Sequence, residues 1–327
     1  MQFREAIESD IPAIVDTFDG RNALPLEPRV REALPMVMQR LIASPACTFT
    51  VFEDDDWPGP RVLSIAGGLF LQDSTIEKYL AAPYPGLVAA VLAGLLDGRR
   101  PLLTLEEIRH ANSGAGLTLA VFPVPHGRLA WGDPKVDQLR RLAPQAFVRG
   151  FGGYRLRAIY YEVFTDETAS YLQAGGYRLL HDFSALAGTG FLGPDSRPRM
   201  LRLSRTDLPP AAMSVASQAF DPPRAELGLT LAEQRVALRS LDGAPDRAIA
   251  ESLGLSGETV RANWRSIYRR LSNVLAGVDG LRPRGVTTAR GLEKRRVAIE
   301  YLRQNLHELR PSVPSAPRSP ALRPKRR

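Results

Sequence analysis

Two periods of hydrophobicity alternate along the first two-thirds of the chain. Residues 2–7, Thr48–Glu53, Arg61–Gln72, Leu117–Val124, 156–164 and 177–183 are short, apolar and rich in β-branched or aromatic side chains, which predicts strands. Segments 9–18, 28–43, 134–149 and 166–174 predict helices between them. In 28–43, Val30, Leu34, Val37, Met38 and Leu41 fall at helical spacing. Asp54-Asp55-Asp56 and Pro58-Gly59-Pro60 separate the second and third strands, predicting a hairpin with its acids in solvent. Residues 75–111 read as an Ala- and Leu-rich helical insertion. Its apolar run, Leu87–Leu96, is too short to span a bilayer and predicts a buried helix. This body is expected to be mixed α/β. Pro209-Pro210 and Asp221-Pro222-Pro223 flank a helical piece and announce a boundary.

Beyond that boundary the period becomes purely helical. Thr230 and Glu233 form a capping box, Val236, Leu238 and Leu241 give an apolar side, and Gly243 with Pro245 ends the helix. A second helix is expected from Asp246, as N-cap, to Leu253, and a third from Ser256. Gly254 between them can supply the positive φ of a sharp turn. In the third helix Val260, Trp264, Ile267 and Leu271 form one stripe for burial. Glu258, Ala262, Arg265 and Arg269 project away from it, with Arg261 on the flank. Leu292, Ile299, Leu302, Leu306 and Leu309 predict a long amphipathic helix, packed on the helices before it or forming a dimer seam. The Pro-, Ser- and Arg-rich tail, 311–327, is expected to be disordered.

Charge sharpens this division. The 327 residues carry a net +8, unevenly placed. Residues 229–310 hold 15 Lys and Arg against 9 Asp and Glu, and 311–327 hold 5 bases and no acid, whereas 1–228 hold 23 bases against 26 acids. A basic C-terminal third on a mildly acidic body points to a polyanionic partner. Cys47 is the single cysteine, so no intrachain disulfide forms, and the four histidines lack ligand spacing; no metal is expected. The opening MQFREAIESD does not resemble a secretory leader, so a cytoplasmic protein without membrane association is expected.

The run Leu229-Thr230, Glu233, Ile249-Ala250, Leu253-Gly254-Leu255-Ser256, Thr259-Val260 and Ile267-Tyr268-Arg269-Arg270-Leu271 resembles the LuxR/GerE-type helix-turn-helix of bacterial transcription factors. The resemblance covers about 45 residues and implies a recognition helix in the major groove of double-stranded DNA. It implies base contacts by Arg261 and Arg265, a thymine-methyl contact by Ala262 and backbone support from Thr259, Asn263 and Arg270, with Arg269 and Ser256 also at the DNA. The chain departs from the pattern at Asn263, where His is usual, at Trp264, where a smaller aliphatic is usual, and at Gly257 and Pro245.

The first 226 residues more faintly resemble the GNAT acetyltransferase fold, through Arg4, Ala6, Asp10 and Ile14 and through Tyr171 followed by Ala174-Gly175-Gly176-Tyr177-Arg178-Leu179. That fold implies a pyrophosphate loop, (Gln/Arg)-x-x-Gly-x-(Gly/Ala), after the fourth strand. Pro125-His126-Gly127-Arg128-Leu129-Ala130 does not match it, Arg149-Gly150-Phe151-Gly152-Gly153 reads as a turn, and Tyr171 reads as a packing residue. The expectation is therefore an α+β chain. A mixed α/β sensor or scaffold domain at 1–226 precedes an all-α DNA-binding domain at 227–310 and the basic tail. The expected function is that of a sequence-specific, nucleoid-associated transcriptional regulator. It would use no cofactor and no catalytic residue and would not be an enzyme. Expected partners are double-stranded DNA, a small-molecule or protein effector, and a second copy in a homodimer. The alternative is an acetyltransferase-like enzyme fused to a DNA-binding domain.

Overall fold

The computed structural model describes residues 1–19, 26–59, 61–122, 129, 133–189, 196–208, 219–241, 243–277 and 292–313. They form two compact units, Met1–Asp221 and Pro222–Arg327. The proline-rich piece at 209–218, the sequence expected to carry a pyrophosphate loop (apart from Leu129) and most of the tail lie outside the described residues.

The first unit is built on a seven-stranded sheet: β1 (Gln2–Glu5), β2 (Cys47–Glu53), β3 (Val62–Phe70), β4 (Leu117–Phe122), β5 (Leu156–Val163), β6 (Arg178–Asp182) and β7 (Arg199–Ser204), in the order β1-β2-β3-β4-β5-β7-β6. Every neighbouring pair is antiparallel except β4 and β5, which run parallel and pair as far as Val121 and Tyr161. A parallel pair needs a crossover, and the crossover is the 18-residue helix α7 (Pro134–Phe151). One sheet face carries Phe49, Val51, Ile65, Ala120, Phe122 and Tyr160, buried beneath α1 (Ile11–Asp16), α2 (Pro28–Glu32), α3 (Leu34–Ala43) and α5 (Leu87–Leu96). The other carries Phe52 against Leu139 and Ala146 of α7, and Phe70, Leu119 and Ile159 against Phe151 and against Ile108 of α6 (Leu105–Ser113). The remaining helices are α4 (Asp73–Ala81) and α8 (Asp166–Ala174).

Several expectations change. Segment 28–43 is two helices, because Pro35 has no N–H to continue a helix through Ala33 (φ −86°, ψ 0°) and instead sits in the first turn of α3. Segment 9–18 is a six-residue α-helix flanked by 3₁₀ turns. The insertion is three helices, α4 to α6, with Leu87, Val88, Val91 and Leu92 of α5 buried as expected. Strand β7, whose RMLRLS sequence interleaves arginines with apolar residues, gave too short a pattern to be recognised. Asp54 is not solvated: it is buried, accepts the Asp56 N–H at 3.0 Å and pairs with Lys135, which holds its carboxyl below the usual range. Tyr171 does not pack, being 68% exposed. Arg149 to Phe151 belong to the last turn of α7, and the turn that follows is made by Gly153 at φ +84°.

The second unit holds α9 (Leu231–Leu241), α10 (Asp246–Leu253), α11 (Gly257–Gly277) and α12 (Leu292–Gln304). The Thr230–Glu233 capping box is present, with Thr230 N–H on the Glu233 carboxylate at 2.6 Å and Glu233 N–H on the Thr230 hydroxyl at 3.3 Å. Asp246 is the first residue of α10 rather than its cap, which is Pro245. The amphipathic helix is shorter than expected: it stops at Gln304, where Asn305 leaves helical geometry, and a 3₁₀ turn carries Leu306–Leu309. Ala298, Leu302 and Leu309 enter the same core as Val236, Ile249 and Ile267. Glu308 is buried beneath the start of the unit, accepting the N–H groups of Glu226 and Leu227, each at 2.9 Å.

Two consequences can be measured. A Cβ on Gly67 would lie 2.5 Å from a ring carbon of Phe49 and 2.6 Å from the Thr48 carbonyl oxygen. Gly67→Ala should therefore cost about 1–3 kcal/mol in chemical denaturation, as overpacking does; an unchanged midpoint would refute this packing. Glu308→Ala strips the amides of Glu226 and Leu227 of their acceptor and should destabilise the second unit by about 1–3 kcal/mol for the buried Leu227 N–H. Retained hydrogen-exchange protection at Leu227 would contradict that.

Candidate nucleic-acid interface and a buried carboxylate

Alternation of buried and exposed positions on α11 follows from its sequence. Val260, Trp264, Ile267 and Leu271 are buried in the core of the second unit. Gly254 adopts φ +64°, a left-handed conformation that turns the chain sharply out of α10, and the Ser256 hydroxyl accepts the Thr259 N–H at 3.1 Å to cap α11. The indole of Trp264 stacks on Tyr268, with centroids 5.5 Å apart, and the Arg295 guanidinium lies 4.9 Å above it. Arg295 also reaches Asp246 at 2.5 Å, so one side chain of α12 ties α10 to α11 across the indole. The Trp264 Nε1–H is buried with no hydrogen-bond partner among the described residues. The larger aromatic at this position enlarges the core.

The opposite face is charged. Arg261, Ala262, Arg265 and Arg269 are all exposed. Arg261 pairs with Glu258 at 2.6 Å, which holds the Glu258 carboxyl below its ordinary range. Arg269 donates to the Ser266 hydroxyl at 3.2 Å. Arg265 has no hydrogen bond or ion pair among the described residues. Asn263 donates to the Thr259 carbonyl at 2.8 Å, a bond within the helix. Arg270 turns inward: Nε donates to Glu233 at 3.3 Å and Nη1 to the Leu227 carbonyl at 3.4 Å. Of the residues the resemblance singled out, Arg261, Ala262, Arg265 and Arg269 thus share one open face. Ser256 and Thr259 sit at its N-terminal edge, and Arg270 is engaged within its own unit. Sequence reasoning gave Arg270 to the DNA backbone, because the spacing of α11 does not say where Glu233 lies.

In the first unit, sequence reasoning missed Glu162. It stands near the end of β5, past the last pair with β4, on the face covered by α5. Its carboxylate accepts the N–H groups of Gly86 and Leu87 (3.0 Å for the latter) at the start of α5. Gly86 can present its amide there because it takes φ +105°. Burial pushes the Glu162 carboxyl up to about 7, partly offset by the two amides. The Tyr79 hydroxyl is buried with no hydrogen-bond partner among the described residues, and burial together with the Glu162 charge holds its proton tightly. The arrangement holds a helix start on a carboxylate, in the manner of a cap supplied from a strand.

The start of α7, the helix after β4, tests whether an acyl-CoA pyrophosphate fits. Pro134 has no N–H, Lys135 N–H is taken by the Asp133 carboxylate at 2.8 Å, and Val136 N–H by the Asp133 carbonyl at 2.9 Å. An acidic cap on filled amides does not suit a second anion. No acyl-CoA contact is assigned there. Among the described residues no group of His, Cys, Asp and Glu could hold a metal ion, and no helix is long and apolar enough to cross a membrane.

No family model matches the chain, and no curated protein matches it. Solved structures align with it over roughly the share that the first unit occupies. A variant of spermidine N-acetyltransferase SpeG from Vibrio cholerae is 13% identical, covering 62% of this chain and 95% of its own, with a TM-score of 0.36. Arabidopsis thaliana NAA60 in complex with acetyl-CoA is 10% identical, covering 63% and 98%, with a TM-score of 0.38. A putative phosphinothricin N-acetyltransferase is 12% identical, covering 62% and 97%, with a TM-score of 0.33. The expectation that the chain is not an enzyme is corrected here, on the ground that spermidine and phosphinothricin N-acetyltransferases are among the structures that align with it. The chain is an α+β protein: a mixed α/β N-terminal unit followed by a helical C-terminal one.

Two expected outcomes follow. Between its ordinary 4.5 and about 7, the folded Glu162 binds more proton than the unfolded chain does, so its contribution to stability is full at low pH and is lost as pH rises through 7. Hydrogen exchange of β5 amides should therefore quicken from pH 5 to pH 8 beyond its intrinsic rise, and Glu162→Gln should flatten that excess; equal slopes would contradict a raised carboxyl. In the second unit, Trp264→Ala should cost about 3–5 kcal/mol as a core truncation. Arg265→Ala should move the melting temperature by less than about 3 °C. Equal losses in thermal melts would show that the buried and open faces are misassigned.

Proposed function

We propose that this chain is an acyltransferase-fold protein carried to double-stranded DNA by a LuxR-type helix-turn-helix, where it regulates transcription at the sites it binds. One observation carries the proposal. The helix that follows the Gly254 turn buries a continuous apolar stripe and presents Arg261, Ala262, Arg265 and Arg269 together on its open face. A cylinder of this width fits the major groove, where arginine reads guanine through two hydrogen bonds and a methyl contact reads thymine. Arg265, which has no partner within the described residues, is ready for a base. Arg261 must first leave Glu258. The basic excess of residues 229–310 supplies phosphate attraction independent of sequence. Group transfer as the chemistry brought to the DNA is taken from the N-acetyltransferases whose structures align with the chain.

The test uses duplex DNA recovered by the full chain from a randomised pool. Arg265→Ala should lose about 1–3 kcal/mol of discrimination between recovered and scrambled duplexes, roughly 5- to 150-fold, while non-specific binding persists. Glu258→Ala, which frees Arg261, should tighten binding to both duplexes. If Arg265→Ala discriminates like wild type, α11 does not read DNA. Thiol release from acetyl-CoA, with spermidine among a panel of amines, tests the first unit separately; silence across the panel would count against group transfer and leave the DNA reading standing.

A further inference from the structure

Arg40, Arg99 and Arg100 rim a cleft of 390 Å³ in the first unit, between the last turn of α3 and the segment running from the end of α5 into α6. Its lining is mainly apolar, with the buried Leu41 and the half-buried Leu95 and Leu105 among others, joined by Ser44 and Thr104, and no Asp or Glu lines it. Arg99 is paired with Asp97 at 2.6 Å. Arg40 and Arg100 have no hydrogen bond or ion pair among the described residues. Glu107, the acid whose charge Arg100 affects, is already spent on the N–H and hydroxyl of Thr104 and on Gln72. With Arg99 held by Asp97, Arg40 and Arg100 are left as like charges on the rim of one cleft, and an anion bound between them would offset both. The start of α6 cannot be that anion's partner, because Thr104 and Glu107 cap each other there.

We propose that this cleft binds a small molecule with an anionic head and an apolar body, the head held by Arg40 and Arg100 and the body lying on the leucines. The volume falls at the lower end of small-ligand sites, about 300–1,000 Å³. That suits a medium-length acyl chain ending in a carboxylate or a phosphate. The walls belong to α3 and to the helical insertion between β3 and β4, so an occupant would clamp the insertion to α3. This site is separate from the DNA-reading face and from Glu162 and stands whether or not either assignment does.

Calorimetric titration of the full chain with decanoate tests it, with decyl phosphate, decanol, acetate and inorganic phosphate as further probes. Decanoate or decyl phosphate should bind, the tighter of the two identifying the head group, whereas decanol and the bare anions should bind at least about tenfold more weakly. The R40A/R100A double variant should raise the decanoate Kd by about tenfold or more without shifting the melting temperature, since both side chains are exposed and unpaired. Leu95→Trp, which fills the cleft, should abolish binding while both arginines remain. The proposal is overturned if neither amphiphile binds at millimolar concentration, if decanol binds as well as decanoate, or if R40A/R100A binds like wild type.

Discussion

Burial of one stripe decides where every charge of α11 points. Val260, Trp264, Ile267 and Leu271 recur at steps of four, three and four, and a helix can satisfy all of them against a single core. Once they are inside, Arg261, Arg265 and Arg269 have nowhere to go but out. Trp264 sits at the centre of this constraint. Its indole is sandwiched by Tyr268 and Arg295, and Arg295 reaches on to Asp246, so α10, α11 and α12 share one contact. The position departs from the pattern the segment otherwise follows, and the departure serves the core rather than the open face. The functional reading of the helix rests on this packing.

The first unit obeys a different constraint. A parallel pair in an otherwise antiparallel sheet needs a long crossover, and α7 supplies it. Where β4 and β5 cease to pair, a polar group at the strand end would lie buried unless something met it. The helical insertion meets it with the amides of Gly86 and Leu87, and Glu162 becomes the tether of α5. Asp54 with Lys135, and Glu308 with the amides of Glu226 and Leu227, solve the same problem elsewhere. Other buried acids, among them Asp10 and Glu53 with Arg4 and Asp207 with Arg202, are held by arginine instead, and each is costly to strip.

Local patterning made most elements legible. The strands from β1 to β6, α7, α8 and the helices from α9 to α11 follow from period, caps and glycine alone, because those signals are local in cause. The Gly254 turn and the Thr230–Glu233 box were readable for that reason. The failures concern tertiary partners. Arg270 reads as a backbone contact to DNA until Glu233 is placed, the triple acid looks solvated until Lys135 arrives from α7, and Tyr171 looks like packing material until the helix is found to leave it outside. Glu162 carried no signal at all, since a single acid in an apolar strand means nothing without knowledge of what covers it. Strand β7 failed for lack of length and a clean alternation, and the break at Ala33 because helical spacing continues across it while Pro35 removes the hydrogen bond.

The central claim, that the open face of α11 reads duplex DNA, is tested most directly by the salt dependence and sequence selectivity of binding by the full chain. Duplexes retained from a randomised pool should converge on a shared sequence, and log K should fall linearly with log salt concentration at a slope of about −0.9 per phosphate neutralised. A pool that stays random, with no measurable slope, would contradict the account.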